Sequence, residues 1–125
     1  MRDTDREGIV RIQMAIVLLV VCASAPCSEY QPLQGEYKIG GKTIFDPPAD
    51  EPQNTHFYLD FEGTTARDLY NAIPAKPERG ICGARNDLTK RSGDVQCTEV
   101  EGGKEYHCAF GVELRTHKIV PGVIC

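Results

Sequence analysis

Apolar and polar residues alternate without a break over residues 56–62, HFYLDFE, which puts Phe57, Leu59 and Phe61 on one side and Tyr58, Asp60 and Glu62 on the other. A period of two predicts a β-strand with one buried face, and the second face reads as solvated. The period then changes. Gly63, Thr64 and Thr65 supply a turn and an N-capping hydroxyl, and Ala66, Leu69, Tyr70 and Ile73 recur at helical spacing until Pro74 forbids continuation. A short amphipathic helix is therefore expected to pack back on the strand before it.

Upstream, residues 36–45 read EYKIGGKTIF, with Gly40-Gly41 between two runs of β-formers. This predicts a two-residue hairpin in which Tyr37 faces Ile44. The next nine residues, DPPADEPQN, combine three prolines with three acids and predict a stiff, acidic surface loop. Residues 75–86 read as a loop tied at Cys82. Two runs come after it, LTKRSGDVQCTEV and KEYHCAFGVEL, joined through Gly102-Gly103; in the second, Tyr106, Cys108, Phe110, Val112 and Leu114 share one face, and His107, Ala109, Gly111 and Glu113 take the other. The tail THKIVPGVIC predicts a turn at Thr116-His117 and a last short strand ending in Cys125. The order of elements predicts an α+β fold, a small antiparallel sheet of hairpins with one short helix on a single face.

The N-terminal part changes the chemical setting. Residues 12–25, IQMAIVLLVVCASA, hold an apolar core from Met14 to Val21 followed by small residues, with Arg11 just before it. The core is short of the roughly 20 apolar residues of a membrane span and suits the hydrophobic region of a secretory signal. The first ten residues hold three acids against two bases rather than a positive excess, so translation starting at Val10 or Met14 fits a signal better than starting at Met1. Cleavage after Ala23 or Ala25 satisfies the small-residue rule, with Pro26 disfavouring the second. Residues 1–28 are read as a signal or anchor segment with its cleavage region, and residues 29–125 as a single domain. The expected location is the periplasm or the extracellular space, with membrane contact only through an uncleaved or lipidated N-terminus.

Export decides how the six cysteines are read, because thiols pair in an oxidising compartment. Cys22 leaves with the signal, and Cys27 sits at the cut. A turn at Gly102-Gly103 sets Glu101 against Lys104, and that register places Cys97 opposite Cys108 with both sulfurs on one side, within disulfide range. Cys82 is then left for Cys125; the alternative, in which each of these bonds one hairpin cysteine, stays open on sequence alone. Zinc would need closer ligand spacings, and a redox dithiol would need Cys-x-x-Cys. Two disulfides are thus the expectation, and they suit a domain too small for a large core.

The run LDFEGTTARDLYNAI, followed by TKRSGDVQC and EYHCAFGV, resembles a loose group of small exported bacterial proteins of uncharacterised function. The likeness rests on Ala66, Leu69 and Tyr70 in the helix, on Lys90 and Gly93 at a turn, and on Cys97 paired with the Tyr106-x-Cys108 strand. It covers about residues 57–125. It implies the fold and export and lends no catalytic residue.

Charge and residue types narrow the function. From residue 29 onward, eleven Lys and Arg stand against fifteen Asp and Glu, so nucleic acid is not expected as a partner. The acids concentrate in residues 29–66 and the bases in residues 76–91, a bipolar surface. His56, His107 and His117 share no metal-ligand spacing and read as surface residues. No nucleophile motif is present, no cofactor is implied, and Asp46, Asp50 and Glu51 lack the Asp-x-Asp-x-Asp-Gly spacing of a calcium loop. The expected function is a non-enzymatic exported binding protein, of inhibitor or immunity type, that meets an envelope or extracellular enzyme through Asp46, Asp50 and Glu51. The alternatives are a small glycan-acting hydrolase using Asp60 and Glu62, and a structural or accessory envelope factor without a soluble target.

Overall fold

The computed structural model describes residues 29–79 and 83–123. The chain divides into two units, Met1–Gln31 and Pro32–Cys125.

The strands of the second unit are β1 (Gly35–Gly40), β2 (His56–Glu62), β3 (Glu78–Arg79), β4 (Leu88–Ser92), β5 (Val95–Val100), β6 (Glu105–Glu113) and β7 (Lys118–Pro121), with one helix, α1 (Gly63–Ala72), among the described residues. All pairings are antiparallel, and the sheet runs β1-β2-β6-β5-β4-β3. Strand β6 is the axis. One edge pairs β2 along its length; the other pairs β5 over its first half and β7 over its second. The α+β expectation holds.

The alternating strand and the helix form where the pattern places them. Phe61, Ala66, Tyr70, Ile73, Cys97 and Cys108 make the buried cluster between α1 and the sheet. Pro74 ends the helix, and Lys90 completes its C-terminus: the ammonium donates to the carbonyls of Tyr70 and Ile73, both at 3.2 Å, and lies 4.6 Å from the centroid of the Tyr70 ring. The N-terminal cap differs from the expected threonine hydroxyl. Glu62 occupies the cap position without a side-chain bond. Instead Gln34, from the chain entering β1, accepts from the Thr64 N–H through its side-chain oxygen at 2.7 Å and donates its backbone N–H to the Thr65 hydroxyl at 2.9 Å. A partner thirty residues away in sequence replaces the local one.

Cys97 and Cys108 are cross-strand partners and form a disulfide with Cα atoms 4.0 Å apart, the closely spaced kind of antiparallel pair. The turn that sets them opposite is longer than Gly102-Gly103. Strand pairing ends at Val100 and Glu105, and Glu101, Gly102 and Gly103 all have positive φ. Lengthening the turn by one residue on each side preserves the register. This is the one disulfide among the described residues; Cys82 and Cys125, expected to form the second, lie outside them. Cys108 Sγ is 3.3 Å from the Ala66 carbonyl oxygen, a packing contact, since a disulfide sulfur has no proton to donate.

Two further expectations are corrected. Residues 36–45 do not form a hairpin: β1 pairs with β2, setting Tyr37 against Leu59 and Ile39 against Phe57. Against β2 Ile39 meets Phe57, where the expected hairpin would have given it Lys42. Gly40 and Gly41 are buried, and a Cβ on Gly41 would stand 2.6 Å from the Pro52 carbonyl oxygen, so this glycine allows two chain segments to pass closely. Nor is LTKRSGDVQCTEV one run. It folds at Gly93-Asp94 into β4 and β5, with Ser92 opposite Val95.

Candidate functional site

The side of the sheet opposite α1 departs most from the sequence reading, and it carries the residues proposed for partner binding. Residues 41–55 fold over it. Beneath them Tyr58 is 6% and His56 8% exposed, although both were expected on a solvated face. Covering by the loop is the reason, and it is fixed by polar bonds. The Tyr58 hydroxyl donates to the carbonyls of Gly41 at 2.8 Å and Lys42 at 3.2 Å. His56 stacks on Tyr58 with ring centroids 5.7 Å apart, and its Nδ1 lies 2.8 Å from the Thr55 hydroxyl. The ring of Tyr58 fits because Gly111 crosses under it; a Cβ there would stand 2.7 Å from the ring. Burial, and behind it the charge of Glu51, raises the Tyr58 hydroxyl above its ordinary pKa of 10.0.

The three acids of the loop fall into two roles. Glu51 is half-buried and turned inward: its carboxylate accepts from the Thr43 N–H at 3.0 and 3.2 Å and from the Thr43 hydroxyl at 2.9 Å. Glu51 N–H also closes a turn onto the Pro48 carbonyl at 3.0 Å. Asp46 and Asp50 are exposed on the stretch so braced. Lys38 supports the same loop from β1, donating to the Ile44 carbonyl at 2.8 Å with its ammonium 5.7 Å from the centroids of Phe45 and Tyr58.

Asp60 and Glu62 are both exposed and border different depressions: Glu62 one of about 510 Å³ at the start of α1, and Asp60 one of about 210 Å³ beside β1. Neither of these two depressions is lined by both carboxylates. The larger depression gathers Glu62, Arg67, Lys104, Glu105 and His107, which the sequence reading did not group. Their cross-strand register was the available signal, since Glu62 faces His107 and His107 Nε2 lies 3.6 Å from Glu105 Oε2. Two acids offset two bases there, and neither a thiol nor a serine hydroxyl lines it. His107 and His117 are exposed, as expected. Among the described residues no group of three or more His, Cys, Asp and Glu could hold a metal ion, and no helix is long and apolar enough to cross a membrane.

On the α1 side a second polar group surrounds the helix C-terminus. Tyr70 meets Tyr106 edge-on at 5.4 Å, with the Glu99 carboxylate acting on its hydroxyl. Burial first, then the charge of Glu99, raises the Tyr70 hydroxyl above 10.0. With Lys90 on the helix carbonyls, these residues hold α1 in place. Compared with protein-family models, with curated proteins and with solved structures, the chain gives no match in any of the three.

Proposed function

We propose that this chain is an exported, non-enzymatic binding protein of inhibitor or immunity type, whose residues 41–55 present Asp46 and Asp50 to a basic enzyme of the envelope or extracellular space. The observation that carries the reading is the internal use of Glu51 and Tyr58, which fixes the loop while leaving two carboxylates in solvent. A loop already ordered loses little entropy on binding, and exposed acids accelerate encounter with a basic surface. The disulfide between Cys97 and Cys108 is compatible with an oxidising compartment, and the resemblance to small exported bacterial proteins points the same way. Pairing of Cys82 with Cys125 belongs to the same reading. Intact mass before and after reduction and alkylation would count the bridges and report processing of residues 1–28.

The test of function is recovery of a basic enzyme from an envelope extract, comparing wild type with Asp46→Asn/Asp50→Asn at two salt concentrations. Salt-sensitive recovery by wild type that the variant loses supports the loop as the contact; equal recovery by both removes it. Glu51→Gln belongs in a separate arm, because it loosens the loop itself.

A further inference from the structure

The sheet has unequal edges. Among the described residues β3, at one end, has two residues, too few to template another chain, and β7 carries Pro121 within its four. At the other end β1 has six residues and no proline. The Glu62 N–H donates to the Gln34 carbonyl at 3.2 Å, so the even-numbered backbone groups of this stretch face β2 and those of Tyr37 and Ile39 face outward. Among the described residues β1 pairs with β2 alone. Helix α1 covers β2, β5 and β6, which leaves Tyr37 71% and Ile39 51% exposed on the same side of the sheet.

An open edge with a central lysine normally discourages pairing. Here the lysine is answered from within the same strand. In GEYKIG, antiparallel pairing about Tyr37 sets Tyr37 against its own copy, Glu36 against Lys38 of the second copy, and Lys38 against Glu36 of the second copy. Outward-facing backbone at Tyr37 makes that central pair a hydrogen-bonded one, so the flanking Glu36–Lys38 pairs are the closely spaced kind, on the loop side of both sheets. Lys38 Nζ spends one donor on Ile44 and keeps two. Ile39 comes opposite Gly35, where no side chain competes for its space.

We infer that β1 is the edge through which two copies of this chain pair, antiparallel and centred on Tyr37, joining their sheets into one. The partner is a second copy because the strand is complementary to itself in charge, backbone direction and apolar face. The contact is a small strand-edge interface, so association is concentration-dependent.

Sedimentation of the full chain over a concentration series tests this, with Glu36→Lys, Lys38→Glu, their mixture and the double exchange. Wild type is expected to move toward twice the chain mass. Each single variant places like charges opposite in both flanking pairs and should raise the apparent dissociation constant roughly tenfold or more. An equimolar mixture of the two single variants restores opposite charges at every pair and should re-associate, as should Glu36→Lys/Lys38→Glu alone. Tyr37→Pro removes an outward donor without touching the ladder to β2 and should abolish association. A wild type that stays monomeric throughout, single variants that associate like wild type, or a mixture that stays apart overturns the inference.

Discussion

The two sides of this sheet are covered by different physical means. On one side an amphipathic helix lies on a dry cluster joined by a covalent bond, with Ala66, Cys97 and Cys108 essentially inaccessible to water. On the other a proline-rich loop, with few apolar side chains to bury, is held by the Tyr58 hydroxyl, the Lys38 ammonium and the Glu51 carboxylate. Apolar packing is non-directional and cooperative with the whole fold, whereas a few bonded groups hold only the segment they touch. The helix side should therefore govern global stability, and the loop side local order and presentation.

The largest break in that contrast comes from the disulfide. Cys97→Ala/Cys108→Ala removes a bridge with a sequence separation of 11 and should cost about 3 kcal/mol in the loop-entropy account, read as a lower denaturant midpoint. Next is Ala66→Leu. Ala66 has no accessible surface between α1 and β6, so added methylenes should destabilise by about 2 kcal/mol, again globally.

Tyr58→Phe probes the other side. It leaves the Gly41 carbonyl without its donor and should cost about 1 to 2 kcal/mol, with the distinguishing result in the loop: faster amide exchange and proteolysis over residues 41–55 while the rest of the sheet stays protected. Equal loosening on both sides would erase the contrast. Smallest is an alkaline effect shared by both sides. Tyr58 and Tyr70 have hydroxyls raised above 10.0, both first by burial, then by Glu51 and Glu99 respectively. The folded chain holds these protons more tightly than the unfolded chain, so the stability they contribute is full below pH 10 and declines as pH rises beyond it. Tyr58→Phe should remove one part of that decline and Tyr70→Phe the other, measured as stability between pH 9 and 11.

Several features were legible from local pattern. The alternation of residues 56–62, the helical spacing of Ala66, Leu69, Tyr70 and Ile73, and the stop at Pro74 each report one element at a time. The register of Cys97 and Cys108 was legible because both lie on one hairpin, and it survives a longer turn than Gly102-Gly103. The partner of β1 was not legible. Gly40-Gly41 has the composition of a tight turn but lies where the chain passes close to Pro52, a fact set by residues beyond any local window. The burial of His56 and Tyr58 was hidden for the same reason, since alternation says that a strand has two faces and not what covers the second. Of the candidate acids, the exposure of Asp46 and Asp50 followed from loop composition, but the inward turn of Glu51 depends on Thr43 coming within 3.0 Å.

The sequence by itself determined the elements with a strong period, the antiparallel hairpin that brings two cysteines together, and the surplus of acids in the first part of the domain. These arise from interactions among residues a few positions apart. The tertiary structure alone decided which strand β1 joins, that a glutamine thirty residues distant caps the helix, that a loop closes over Tyr58, and, among the described residues, which edge of the sheet is left unpaired. Each of those depends on burying surface or satisfying a hydrogen bond between segments far apart in the chain, where many pairings share the same local pattern and only the packing of all of them together selects one.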